Sequence, residues 1–170
     1  RSFITSIFFL GVCMNKLRLY EVNQKYLSYL HAIDNRVSLE HKQANKRKFI
    51  GIVLEINDIK YFAPLSSPKE KHKRLKENID IYKIKNGELG VVNFNNMIPV
   101  NDHLFTMVDL SKIKQVSYRY LMLEQLRIFN NDYEKITKKA KKIYSLRYKS
   151  YFNTSIKDRC CDWAKLEIAL

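Results

Sequence analysis

Phe49-Ile50-Gly51-Ile52-Val53-Leu54-Glu55-Ile56, then Asn57-Asp58, then Ile59-Lys60-Tyr61-Phe62-Ala63-Pro64-Leu65: the reading of this stretch decides the fold. The first half is a short apolar run rich in β-branched residues, the pattern of a buried strand. Asn57-Asp58 tolerates the left-handed backbone that a tight hairpin turn requires. The second half returns as the partner strand. Pro64 near its end has no N–H to give, which predicts a sheet edge or a strand terminus there.

Working outward, Leu17–Val22 alternates enough for a further strand. Asn23 is a suitable N-cap for a helix through Asp34, with Tyr26, Leu27, Leu30 and Ile33 at helical spacing. A short helix is expected after Pro68. Ile79–Ile84 and Leu89–Asn93 read as a second hairpin around Asn86-Gly87. Short extended pieces follow at Met97–Val100 and Leu104–Leu110. From Ser117 the pattern turns helical: Tyr118–Phe129, Tyr133–Tyr148 and a terminal segment Ile156–Leu166 that carries Trp163. A strand-rich centre with a helical C-terminal third is an α+β chain.

The length of 170 residues fits one domain with a real core. We assign that domain to residues 14–170. Phe3–Val12 is an apolar run behind Arg1, without a small-x-small cleavage site and too short to cross a bilayer as a helix. Met14-Asn15-Lys16 reads as a natural start, so residues 1–13 are expected to be an upstream, non-native extension. The alternative is a membrane anchor.

Charge narrows the function classes. There are 31 Lys+Arg against 17 Asp+Glu, a formal net charge of +14, a field that favours polyanions. Eleven tyrosines and nine phenylalanines are available for base stacking, which points to nucleic acid. Basic residues gather at Lys42–Lys48, Lys69–Lys76 and Lys135–Lys149. The last run is expected to be the solvated face of an amphipathic helix whose apolar side carries Ile136, Ala140, Ile143 and Tyr144. The first two flank the central hairpin and would form a phosphate groove if they converge, with Lys46, Arg47, Lys71, Lys73 and Arg74 as RNA-binding cations. Hydrophobic residues make up 46% of the chain, with only four glycines and three prolines, which excludes a disordered chain.

No Gly-rich phosphate loop, no HExxH and no two-metal carboxylate cluster is present. His31, His41, His72 and His103 are scattered and read as ordinary polar residues, although folding could pair two of them. Cys13, Cys160 and Cys161 have no metal-binding spacing and read as reduced packing thiols. No metal and no cofactor is expected. The segment Ala63-Pro-Leu-Ser-Ser-Pro-Lys69 carries more chemistry. A strand ends at Leu65, two hydroxyls follow, and Pro68 can open a helix at its first turn. Ser67 would then be an N-cap beside free backbone N–H groups that suit a phosphate, with Lys69 in the same turn. Read from spacing alone, a serine before proline is usually just a helix cap.

Lys48 through Ile56, followed by Tyr61-Phe62-Ala63-Pro64-Leu65-Ser66-Ser67-Pro68-Lys69, resembles the central hairpin of the type III toxins of the ToxN/AbiQ family. The block Leu89-Gly90-Val91-Val92-Asn93-Phe94-Asn95-Asn96-Met97-Ile98-Pro99-Val100 is similar to the next family signature. Leu19-Tyr20 with Lys25-Tyr26-Leu27-Ser28-Tyr29-Leu30 is similar to its opening strand and helix. The likeness keeps its order from Leu17 to Val100 and loosens through Tyr118–Phe129 and Tyr151-Phe152-Asn153.

The resemblance implies a cytoplasmic, metal-independent endoribonuclease of phage abortive infection, inhibited by a repeated pseudoknot RNA antitoxin that it cuts from a precursor. It implies a compact twisted antiparallel sheet with flanking helices, related to the SH3-like barrel, and a closed assembly of toxin monomers bridged by RNA. The family serine falls on Ser67, its neighbouring hydroxyl on Ser66, where some relatives carry threonine. The family lysines fall on Lys48 and Lys69, and the helix tyrosine on Tyr26. On this basis Ser67 contacts the 2′-hydroxyl or the scissile phosphate, and Lys48 and Lys69 clamp the developing charge. Tyr26 either stacks on a flanking nucleotide or packs the first helix onto the sheet. Two other readings stay open: a non-catalytic basic RNA-binding protein, and a membrane-associated protein built on residues 3–12.

Overall fold

The computed structural model describes residues 16–39 and 46–170. The expectations for residues 1–13, the start at Met14, Cys13, His41 and Lys42 lie outside the described residues. The hairpin of the opening stretch forms as β2 (Phe49–Ile56) and β3 (Ile59–Ser66), joined through Asn57 and Asp58 at φ 49° and 63°. Positive φ at both central residues gives the turn a twist that matches the strands. β1 (Arg18–Val22) lies antiparallel to β2, and α1 (Gln24–Ile33) follows it. Asn23 caps α1 as expected, its side chain accepting from the N–H groups of Lys25 and Tyr26.

After α2 (Glu70–Arg74), the second hairpin pairs β4 (Ile81–Lys83) with β5 (Val91–Asn93). Its connection is longer than a tight turn and passes through a 3₁₀ segment, Ile84–Gly87. β6 (Ile98–Val100) and β7 (Phe105–Met107) complete a seven-stranded antiparallel sheet ordered β4-β5-β3-β2-β1-β7, with β6 also paired to β3. The C-terminal third supplies α3 (Val116–Asn131), α4 (Tyr133–Leu146), α5 (Thr154–Lys157) and α6 (Trp163–Ile168). The chain is therefore α+β.

Three expectations are corrected. Pro64 does not mark an edge, because β3 lies inside the sheet with neighbours on both sides. β6 pairs with Lys60–Phe62 and β5 with Leu65 and Ser66, and Pro64 falls in the gap between them. The Leu65 N–H points to β2, where it donates to the Lys48 carbonyl, so the nitrogen of Pro64 faces that gap and no ladder bond is lost. The single helix expected over Ile156–Leu166 is two short helices, each started by its own side-chain cap, Asn153 and Asp162. The sheet order ends at β4 and β7, so the described strands form an open sheet and not a closed barrel.

One apolar core joins all these parts. Trp163 is fully buried and donates its indole N–H to the Met97 carbonyl at 2.8 Å, fastening α6 to the start of β6. Tyr20 stacks on Phe62 at 4.7 Å between ring centroids, and Phe105 meets both edge-on. α4 buries Ile136, Ala140 and Ile143 and leaves Lys135, Lys138, Lys141 and Lys142 exposed, as its periodicity predicts.

Cys160 and Cys161 are buried and unpaired, and burial pushes their thiols up to about 11 and about 12. Unfolded thiols ionise from an ordinary value of 9.0, so the folded state holds these protons more tightly. Their contribution to stability is complete below pH 9 and is lost as pH rises through the folded values. In urea unfolding, we expect the midpoint to fall steadily above pH 9, and iodoacetamide to label neither thiol until the chain unfolds.

Candidate active site

Ser66 closes β3 between β2 and β5, and Ser67, Pro68 and Lys69 leave it exposed. Two features outside the motif hold this exit. Asn93 on β5 donates its side-chain N–H to the Ser66 hydroxyl at 2.9 Å. Gly90, at φ +99°, lets its backbone press on the Ser66 carbonyl so closely that an added Cβ would overlap that oxygen. The turn is thereby clamped from behind while its hydroxyl side faces solvent.

Ser67 is not the helix cap that its place before Pro68 suggests. α2 begins at Glu70 with Lys69, itself extended, in the cap position and no side-chain cap bond. The Ser67 hydroxyl is therefore not committed to a helix end. The backbone N–H groups of α2, only five residues long, are not the feature that would hold a phosphate.

The strand register brings part of the first basic run to this point. Phe49 is opposite Pro64, and the Leu65 N–H donates to the Lys48 carbonyl at 2.9 Å. The same register, continued past the strand ends, sets Lys46 opposite Ser67. Successive side chains alternate across a sheet, so Lys46, Lys48 and Ser67 share one face. The Arg47 guanidinium takes a structural role, donating to the carbonyls of Leu65 at 3.3 Å and Leu39 at 3.4 Å. Lys48 is largely enclosed, its side chain 13% exposed, and donates to Glu21 Oε1 at 2.5 Å and to the Lys46 carbonyl at 2.9 Å.

Behind the turn, Lys71, Lys73 and Arg74 are exposed on α2, with Lys73 paired to Glu70 at 2.7 Å. His72 between them is buried, and that burial, with Lys71 and Lys69 adding to it, lowers its pKa. It is neutral at physiological pH and does not face a substrate. His31 is engaged with the Val37 carbonyl at 2.7 Å. Among the described residues, no three His, Cys, Asp or Glu side chains gather to hold a metal ion.

Of the two roles open to Tyr26, the structure shows the packing of α1 onto the sheet and not an RNA contact. Tyr26 is 8% exposed, and its hydroxyl donates to the Pro99 carbonyl at 2.9 Å, so the ring ties α1 to β6. Burial raises its hydroxyl pKa far out of the functional range. Of the other two anchors of the structure that sequence reading missed, Asn93 and Gly90 both sit in the Leu89–Val100 block, but nothing in that block alone shows that they support Ser66.

Two clefts open on the surface. The larger, about 620 Å³, lies between β2 and α4 and touches neither Ser67 nor Lys48. The smaller, about 480 Å³, is lined by Glu21, Asn23, Lys25, Lys46, His103 and Phe105. Neither cleft is lined by Ser67, Lys48 or Lys69, and the second includes Lys46, which the extended register sets opposite Ser67.

Comparison with known proteins identifies the family. The family model described as toxin ToxN of type III toxin-antitoxin systems matches residues 18–170, so the chain belongs to the ToxN family. It is 33% identical to the endoribonuclease ToxN of Pectobacterium atrosepticum over 138 residues, 76% of this chain and 81% of the relative. It also resembles the solved structure of AbiQ, a lactococcal anti-phage endoribonuclease of a type III system, with TM-score 0.78 and 27% identity over 91% of this chain and 95% of that one. A solved structure from a bacterial antiviral system regulated by a processed non-coding RNA gives TM-score 0.78 at 28% identity, over 89% of this chain and 95% of that one.

Gly90→Ala tests the clamp on the turn. Its positive φ and its contact with the Ser66 carbonyl predict a loss of about 1–3 kcal/mol in urea unfolding. A variant as stable as the parent would show that the turn is not held from this side.

Proposed function

We propose that this protein is a toxin endoribonuclease that cleaves RNA without a metal ion, through attack of a 2′-oxygen on the adjacent phosphorus. The P–O5′ bond breaks, leaving a 2′,3′-cyclic phosphate and a 5′-hydroxyl. The 2′ proton passes to a base, and the departing 5′-oxygen takes up a proton. The observation that carries the reading is the exposed Ser67 at the end of a strand whose register, continued past its end, sets Lys46 opposite it, with Lys69 two residues on.

In this reading Ser67 hydrogen-bonds the 2′-hydroxyl or the scissile phosphate, and Ser66, held by Asn93, fixes the backbone that carries it. Lys48 and Lys69 stabilise charge on the phosphoryl oxygens, the contribution that generally dominates such catalysis. Lys46, Lys71, Lys73 and Arg74 extend the cationic track along the RNA backbone. Arg47 serves it indirectly, by holding the Leu65 carbonyl next to the turn.

The antiviral system regulated by a processed non-coding RNA, to which the fold is similar, supports an RNA antitoxin as the inhibitor of this chain. We take that antitoxin to be a repeated pseudoknot, bound in a cyclic assembly whose toxin monomers meet through RNA. Cellular and phage RNA are the substrates, abortive infection the setting and the cytoplasm the site of action. Among the described residues no helix is long and apolar enough to cross a membrane.

Ser67→Ala tests the assignment. Cleavage of RNA is expected to fall by about a hundredfold to a thousandfold, while affinity for antitoxin RNA stays near that of the parent. RNA binding itself should weaken steeply with salt in parent and variant alike. A Ser67→Ala protein that cuts at the parental rate would remove Ser67 from the chemistry. A parent that binds RNA and never cuts it would make the chain a binding protein only.

A further inference from the structure

Lys48 is nearly enclosed, and its ammonium is held from two sides. It donates to Glu21 Oε1 at 2.5 Å and to the Lys46 carbonyl at 2.9 Å, with its side chain 13% exposed. An ammonium has three N–H donors, and among the described residues two partners engage it. Glu21 stands on β1, where Tyr20 pairs with Phe49, and that register sets Glu21 opposite Lys48. The other carboxylate oxygen lies 3.7 Å from Lys46, and Glu21 and Lys46 together line the smaller cleft.

A carboxylate here is out of keeping with simple attraction of RNA. The chain carries 31 Lys+Arg against 17 Asp+Glu, yet an acidic residue contacts two lysines of the site. A negative charge in a groove for a polyanion opposes binding, so its benefit must lie elsewhere. Lysine is a compact charge on a flexible stem with many rotamers, and a clamp on a transition state needs its donor fixed in advance.

We infer that Glu21 is a positioning residue: it fixes the Lys48 ammonium so that its remaining N–H meets the phosphoryl oxygen of the bound RNA, and it gives up some RNA affinity in doing so. The inference rests on the role proposed above for Lys48. Glu21 itself does not touch the reacting atoms.

The two effects of Glu21 have opposite signs, and that makes them separable. Single-turnover cleavage of a long mixed-sequence transcript would be measured for the full chain and for Glu21→Gln, Lys48→Ala and the double variant. For Glu21→Gln the rate at saturating protein is expected to fall about tenfold to a hundredfold. The half-saturating protein concentration should be unchanged or lower. Glu21→Asp, which keeps the charge on a shorter arm, should recover part of the rate. In the Lys48→Ala background, Glu21→Gln should have no further effect, because residues that act through one another are not additive. Circular dichroism melts check that each variant is folded at the assay temperature, and Glu21→Ala replaces Glu21→Gln with the same expected split if it is not. A Glu21→Gln rate equal to the parent's would overturn the inference, and so would an equal drop with and without Lys48. If Lys48→Ala alone cuts at the parental rate, the proposed role of Lys48 is what fails, and the assignment to Glu21 goes with it.

Discussion

β3 has a partner along each edge, and that double flanking sets everything the site depends on. β2 reads its register on one side, while β6 and then β5 share the other, with the missing N–H of Pro64 placed where the second partner takes over from the first. A strand held from both sides cannot slip without moving its whole set of side chains to the wrong face. The exit of such a strand is a fixed point in space, and Ser66 and Ser67 stand at it. The same pairing that buries Phe62 and Ala63 thus also sets where Lys48 lies relative to the serines.

Rigidity behind the turn and openness in front of it come from different residues. Gly90 and Asn93 hold the Ser66 side, and the 3₁₀ segment before them is locked to α2, since Gly87 at φ +91° has no room for a Cβ against the His72 carbonyl. In front, Ser67, Lys69 and the α2 cations face solvent. Mobile lysines on a fixed frame suit contact with a phosphate backbone, whereas the enclosed Lys48 suits a single oriented contact. The candidate site thus combines exposed and enclosed cations, and the carboxylate of Glu21 contacts one of each, Lys46 and Lys48.

Much of this was legible in the sequence. The central hairpin, its Asn57-Asp58 turn, the Asn23 cap and the buried face of α4 all follow from local pattern, because turn chemistry and apolar periodicity act over a few residues. Ser67 and Lys69 stood out for the same reason. The misreadings share a different cause. Pro64 looked like an edge because sequence does not show which strand flanks which. Ser67 looked like a cap because a proline at a helix start and a proline in an extended turn read alike. Tyr26 looked able to meet RNA because nothing local says that Pro99 lies across from it.

Sequence by itself determined the α+β class, the central hairpin, the basic character and the candidate segment Ser66–Lys69, since each is written in residues close together along the chain. Tertiary structure alone decided what holds Lys48 and Ser66. Glu21 is 27 residues from Lys48 and Asn93 is 27 from Ser66, and only pairing across the sheet brings each to its partner. Long-range strand register, which no short window of sequence encodes, is the physical reason for the difference.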